Sequence, residues 1–218
     1  MPSTSSIPAI ALEPGLEIGY DQPLATFESA VALGGGTHFL LARNGRGKTT
    51  LLRTLARTLK PLRGTFHTTG FFQYLPENLN FDPEITPATI FRTLLPKNRV
   101  SEALELARAI ELDTGKSYSR LSTGNRRKTN LIMAEFSVKP GQANILLLDE
   151  PFSGLDAFAR EAFEKIWHRS SENVLRLVSC HPDYDAMPMP SALVIEGHHI
   201  RHLQSRNQTW STLKTLLN

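Results

Sequence analysis

The chain has 218 residues, 40% of them apolar and 21% charged, enough for one domain with a substantial core and ordinary for a globular protein. A net charge of +3 is too mild to argue for a nucleic-acid partner, and none is expected. The lone Cys180 excludes an intrachain disulfide, which fits a reducing compartment.

The first fifteen residues, MPSTSSIPAIALEPG, lack a basic start and read as no signal peptide. No apolar run reaches the roughly 18–20 residues of a membrane helix, so a membrane role requires a partner that supplies the spanning segments. His38–Ala42, HFLLA, follows the glycines at 34–36 and reads as a buried strand. Leu51, Leu52, Leu55, Ala56 and Leu59 recur at helical spacing, and Pro61 and Gly64 end that helix. GFFQYL, residues 70–75, is a further strand. Prolines 76, 83, 87 and 96 interrupt the next stretch, and Ser101 is the expected N-cap of SEALELARAIEL.

A second helix is expected over Arg126–Phe136. NILLLDE, residues 144–150, is a continuous apolar run ending in two carboxylates, the pattern of a central parallel strand. Asp156 can cap AFAREAFEKIW, VLRLVSCH is another strand, and ALVIEGHHI a late strand or hairpin. Strand, loop, helix and strand again predict an α/β core with a mostly parallel sheet. The helices between about 87 and 137 form a separate helical lobe.

Leu41–Arg53, LARNGRGKTTLLR, is close to the phosphate-loop pattern G-x-x-x-x-G-K-[ST], with Ala42 where the first glycine stands. A strand feeding a glycine-containing turn and then a helix directs backbone N–H groups and the positive end of a helix dipole at one point. Gly45 and Gly47 let backbone approach phosphate. Lys48 can reach terminal phosphates and Thr49 can offer its hydroxyl to Mg²⁺. Ala42 carries a cost if its position needs positive φ.

Asp149 stands at the carboxyl end of a strand, where open α/β sheets bind ligands, and can hold Mg²⁺. Glu150 beside it can polarise a water.

Together these motifs resemble the nucleotide-binding subunits of ATP-binding cassette (ABC) proteins over nearly the whole chain. ARNGRGKTT resembles Walker A, ILLLDE Walker B, SGLD (Ser153–Asp156) the D-loop and LSTGN (Leu121–Asn125) the family signature. His181 falls at the switch histidine and Tyr20 where an adenine-stacking aromatic sits. Thr123 and Asn125 depart from the signature, and Glu77, or else Gln73, takes the place of the Q-loop glutamine.

The resemblance implies a P-loop NTPase core with an antiparallel β portion and a small helical subdomain. ATP and Mg²⁺ are the implied cofactors. Nucleotide contacts fall to Tyr20, Asn44, Gly45, Arg46, Gly47, Lys48, Thr49, Thr50, Ser122 and Gly124; metal contacts to Thr49, Asp149 and Glu77; catalysis to Glu150 and His181. Ser122 and Gly124 would serve ATP held by a second cassette subunit, the same chain or a similar one, in a head-to-tail pair. A transmembrane permease is the implied partner, at the inner face of the cell membrane. YLPEN and LSTGNRRK look most like compact ABC-2-type or haem-exporter ATPases. A soluble ABC-family ATPase or an ATP-sensing module is the alternative.

Outside these motifs, Arg126, Arg127 and Lys128 read as a solvated face, Cys180 as a small buried filler, and His198, His199 and His202 as part of an exposed hairpin.

Overall fold

A computed structural model of the chain describes residues 7–169, 172–180 and 187–217. The first strands are β1 (Ala9–Leu12), β2 (Glu17–Gly19), β3 (Pro23–Phe27), β4 (Val31–Leu33) and β5 (Gly36–Leu41). After helix α1 (Lys48–Leu55) come β6 (Phe66–Thr69) and β7 (Phe71–Leu75). Helices α2 (Pro87–Leu94), α3 (Val100–Ala109) and α4 (Thr123–Phe136) follow. The chain continues with β8 (Asn144–Leu148), α5 (Ala157–Arg169), β9 (Val174–Ser179), β10 (Ser191–Glu196), β11 (His199–Gln204) and α6 (Trp210–Leu213).

An eight-stranded sheet runs in the order β2-β3-β11-β10-β5-β9-β8-β7, and a small antiparallel sheet in the order β4-β1-β6. From β10 through β5, β9 and β8 to β7, every neighbouring pair is parallel. The loops that follow β5, β7, β8 and β9 therefore emerge at one edge, where parallel sheets bind ligands. The β10–β11 pair is an antiparallel hairpin, as ALVIEGHHI suggested. The α/β class with an antiparallel portion is as expected; the short strands β1–β4 were not singled out in the sequence.

Alternation along the central strands builds two cores. Leu146, Leu148 and Val178 join Phe39 and Leu41 on the face covered by α4 and α5. Ile145, Leu147, Leu175 and Leu177 join Leu40 on the face covered by α1 and the N-terminal strands. Burial on both faces explains why ILLL is apolar without interruption.

Three expected boundaries shift. α1 ends at Leu55 rather than continuing to Leu59, because Arg57 adopts φ 58 and the N–H groups of Thr58 and Leu59 both turn back to the Arg53 carbonyl. Ser101 is not a cap: α3 starts at Val100 directly from a 3-10 turn over Lys97–Arg99. α4 begins at Thr123, three residues before the expected Arg126, because Ser122 Oγ accepts from the Asn125 N–H at 3.2 Å. Asp156 does cap α5, accepting from the Ala159 N–H at 2.7 Å.

The solvated face expected of Arg126–Lys128 is also corrected. Arg126 donates to the carbonyls of Tyr118 and Ser119, and Arg127 and Lys128 are buried. Lys128 donates to the Ile110 carbonyl at 2.9 Å and pairs with Asp156 at 2.7 Å. α4 is packed between α3 and β7, which buries Arg127 and Lys128 and leaves Arg126 partly exposed.

Two polar networks sit inside the fold. Glu135 on α4 accepts from Arg176 on β9 in a forked pair, Nη2 to Oε2 at 2.7 Å and Nε to Oε1 at 2.9 Å, and from Trp167 Nε1 on α5 at 2.7 Å. Removing one member of a buried pair strands the other. Glu135→Ala is expected to destabilise the fold by about 3–5 kcal/mol in urea titration, and the apolar double change Glu135→Leu with Arg176→Met to recover most of that.

The second network links β5, β10 and β11. His38 Nε2–H donates to the Gly34 carbonyl at 2.9 Å, the Ser191 hydroxyl donates to His38 Nδ1 at 2.7 Å, and His202 Nε2–H donates to Ser191 Oγ at 2.8 Å. This chain requires a neutral His38, whose Nδ1 accepts, whereas His202 donates from Nε2 in either charge state. Burial holds the His38 pKa below its ordinary value, against the Gly34 bond; burial and His38 do the same to His202. Above the unfolded pKa of 6.5 neither state is protonated and nothing is lost. Below it the unfolded chain takes up protons that the folded chain resists. The thermal midpoint is expected to fall as the pH drops below about 6.5, with a shallower fall in His38→Asn.

Candidate nucleotide-binding site

The turn after β5 is shaped by two glycines. Gly45 has φ 77 and Gly47 φ 104, the left-handed region that favours glycine. Gly47 is the N-cap of α1 and supplies no side-chain bond, so the first N–H groups of the helix stay available to an anion. Ala42, in contrast, is not among the positive-φ residues, so a side chain there carries no backbone cost. Its carbonyl accepts from Lys48 Nζ at 3.2 Å.

A cavity of about 610 Å³ opens on this turn. Tyr20, Asn44, Gly45, Gly47, Lys48, Thr49, Thr50, Glu77 and Glu150 line it, together with Leu24, Arg43 and Ser153, which the sequence had not marked as contacts. Tyr20 stands half-exposed at its rim, its hydroxyl accepting from Arg53 at 3.4 Å. Across the cavity Lys48 Nζ lies 3.3 Å from Glu150 Oε1. An ammonium, an uncapped helix start and two glycines along one wall suit a polyphosphate.

Asp149 is buried beneath this wall, reached by Tyr74 OH on β7 at 3.4 Å. Burial and then the Asp149 charge push the Tyr74 hydroxyl far above its ordinary pKa, so it remains a donor. Ser179 at the end of β9 donates to Asp149 Oδ1 at 2.8 Å and accepts from the Glu150 N–H at 2.7 Å. Glu150 itself has φ 46, a conformation that non-glycine residues adopt rarely and that clusters at functional sites. One serine thus fixes the carboxylate of Asp149 and the backbone of Glu150. Sequence reasoning missed Ser179; pairing of β8 with β9, Leu148 beside Val178, is the signal that would have found it.

Of the two residues proposed for the loop after β7, Glu77 lines the cavity, whereas Gln73 lies within β7 opposite Leu146. Arg46 is not part of the lining. Nor are Ser122 and Gly124, which sit at the start of α4 against the SGLD loop; a Cβ on Gly124 would come within 2.6 Å of the Gly154 carbonyl. Their expected role toward a second subunit's ATP therefore involves another surface. His181 lies outside the described residues. The three histidines near the C-terminus are engaged separately: His198 with the Leu24 carbonyl, His199 with Glu28 and His202 with Ser191. Among the described residues no group of His, Cys, Asp and Glu side chains is arranged to hold a metal by itself, so a cation here would need oxygens from its ligand.

Comparison with known proteins gives concordant results. Residues 33–153 match the family described as ABC transporter. The ABC transporter ATP-binding protein YtrB of Bacillus subtilis (strain 168) is 33% identical over 135 residues, 56% of this chain and 45% of that protein. The zinc import ATP-binding protein ZnuC of Mannheimia succiniciproducens is 30% identical over 170 residues, 74% of this chain and 62% of that protein. The chain thus spans about half the length of the curated relatives it matches. A solved ATP binding subunit of an ABC transporter superimposes with a TM-score of 0.73 over 96% of this chain and 98% of that one, at 20% identity, a likeness of fold.

Proposed function

Since the chain belongs to the ABC transporter family, its matched segment covering more than half of it, we propose that it is the ATP-binding and ATP-hydrolysing subunit of a transporter. The observation that carries this reading is the cavity in which Lys48, Thr49, Glu77 and Glu150 meet around the glycine turn, with Asp149 beneath.

The residues present fit Mg-ATP. The uncapped start of α1 and the Lys48 ammonium match a triphosphate. The Thr49 hydroxyl and the Asp149 carboxylate, with Glu77, are the oxygen donors that a hard divalent ion prefers. Tyr20 at the rim is suited to stack on a base. When bound, Mg-ATP supplies an electrophilic terminal phosphoryl group whose negative charge the ion partly neutralises. Glu150, its backbone fixed through Ser179, would orient and deprotonate the attacking water. Lys48 would exchange its contact with Glu150 for phosphate, which frees that carboxylate for the water. His181 would hold the phosphate side.

Ser122 and Gly124 would complete the site of a second cassette subunit, in a homodimer or with a similar chain, so that ATP favours closure and hydrolysis favours opening. In this reading the chain is one ABC ATPase domain whose helices between about 87 and 137 form the helical subdomain. No helix among the described residues is long and apolar enough to cross a membrane. The motion would drive a transmembrane permease, with this subunit in the cytoplasm at the inner face of the membrane. The resemblance of YLPEN and LSTGNRRK to exporter ATPases supports export, while ZnuC is named for zinc import; transport by the reconstituted pair in vesicles fixes the direction. Mg-ATP binding by calorimetry and phosphate release by the purified chain test the core of the reading: absence of both overturns it, and binding without release, with or without the permease, favours an ATP-sensing module.

A further inference from the structure

Lys128 is a buried cation that does not line the nucleotide cavity. It stands on α4, only 6% exposed, and its ammonium meets groups from two other parts of the chain. Nζ donates to the Ile110 carbonyl at the end of α3 at 2.9 Å and pairs with Asp156 Oδ2 of the SGLD loop at 2.7 Å. An ammonium withdrawn from water depends on such acceptors, so the contact is not one that a solvated lysine makes and breaks freely. Asp156 answers with both carboxylate oxygens, since Oδ1 accepts from the Ala159 N–H and caps α5. The Lys128 hydrogen bond, and then that cap, hold the Asp156 carboxyl below its usual range.

The same two segments also meet one turn earlier on α4. Gly124 stands four residues before Lys128, on the same helix face. A Cβ there would come within 2.6 Å of the Gly154 carbonyl, so α4 and the SGLD loop touch backbone to backbone. Gly154 has φ 75, the conformation that turns its carbonyl into this contact without cost to a side chain. A steric contact at 124 and an ion pair at 128 fix both the distance and the angle between loop and helix. The other end of the loop is in the cavity: Ser153 lines it, two residues beyond Pro151 and three beyond Glu150.

We propose that Lys128 is a positioning residue: through Asp156 it clamps the SGLD loop to the start of α4, so that Ser122, Gly124 and Ser153 are carried as one unit. The inference rests on the nucleotide-site reading above and deepens it. Ser122 and Gly124 lie outside the cavity, whereas Ser153 lies in its wall beside Glu150. Engagement of the α4 start by a second subunit is thereby felt at the catalytic wall of this one. The Ile110 bond adds α3 to the same unit, so a tilt of these helices reaches the loop as well.

The test uses Lys128→Met, which keeps the apolar stem, and Asp156→Asn, which keeps a cap for α5 and removes the charge. Without nucleotide, amide exchange at Ser153 and Leu155 is expected to quicken about tenfold in either variant, the worth of one charge-assisted hydrogen bond. Those amides close the turns of the loop, on the carbonyls of Glu150 and Phe152. Turnover at saturating Mg-ATP should fall about tenfold while KM stays within about twofold of the parent, because neither side chain lines the cavity. The double variant should be no slower than the slower single one, since both remove the same contact. A lysine that only supports α4 would quicken exchange along that helix, leave the loop as it was, and give losses that add. Unchanged exchange at Ser153 and Leu155, parental turnover in either variant, or additive losses overturn the proposal. If Lys128→Met does not fold, Asp156→Asn, changed at a half-exposed side chain, decides it by the same exchange and kinetic readouts. A parent chain without ATP turnover overturns the role assigned to Lys128, and one that also binds no ATP overturns the nucleotide-site reading itself.

Discussion

Lys48→Ala is expected to abolish measurable ATP turnover and to weaken Mg-ATP binding by about 10- to 100-fold. The side chain is buried at the wall of the cavity, held between the Ala42 carbonyl at 3.2 Å and Glu150 at 3.3 Å. Its ammonium is therefore ordered before ligand arrives and loses little freedom on meeting phosphate. Charge-assisted hydrogen bonds of this kind contribute about 1.5–3 kcal/mol, which gives the stated loss of affinity. Turnover suffers more than binding, because the same charge would have to stabilise the phosphoryl group as it transfers and to release Glu150 when phosphate arrives. Calorimetry and phosphate release measure the two separately. Equal affinity in variant and parent would remove the glycine turn from nucleotide binding, since no geometry that uses the α1 N-terminus leaves Lys48 out.

The parts of this site that were legible in the sequence are those fixed by local chain geometry. A strand, a glycine turn and a helix start define where Gly47 and Lys48 stand, and an apolar run ending in Asp149 and Glu150 defines a strand end. What stayed hidden depends on pairing between distant segments. Ser179 acquires its meaning only because β8 and β9 run parallel in a register that sets it beside Asp149. Arg127 looks like one cation among three until α4 is packed between α3 and β7. Arg176, flanked by leucines in its strand, is intelligible only once Glu135 arrives from α4. The early end of α1 at Leu55 shows the same limit on a smaller scale: the leucine periodicity continues to Leu59, but Leu59 reaches its place by a left-handed turn at Arg57. The helical periodicity therefore outlasts the buried turn, since Leu55 is buried and Leu59 only partly so.

Glu150→Gln is expected to lower ATP turnover by about 10²–10⁴-fold, the usual worth of a general base. It should leave ATP binding intact or tighter. The substitution keeps the shape of the side chain at a backbone position, φ 46, that the wild-type residue already tolerates. The Ser179 contact to the residue 150 N–H is a backbone bond and survives. What changes is charge. The glutamine no longer competes with phosphate for Lys48, which in the parent lies 3.3 Å away. One of the carboxylates that would face the terminal phosphate is also gone, so the closed, ATP-bound arrangement is relieved of repulsion just as the step that would reopen it is slowed. The variant should therefore accumulate as an ATP-dependent dimer on size exclusion, while the parent under hydrolysing conditions runs mainly as a monomer. Glu150→Asp separates charge from placement: it restores the base but withdraws it by one methylene, and turnover should remain low without the gain in dimer. Turnover near the parent rate in Glu150→Gln would transfer the base to another group. Loss of turnover with no ATP-dependent dimer would retain Glu150 as the base and count against a homodimeric sandwich, leaving a different cassette chain as the second half of the site.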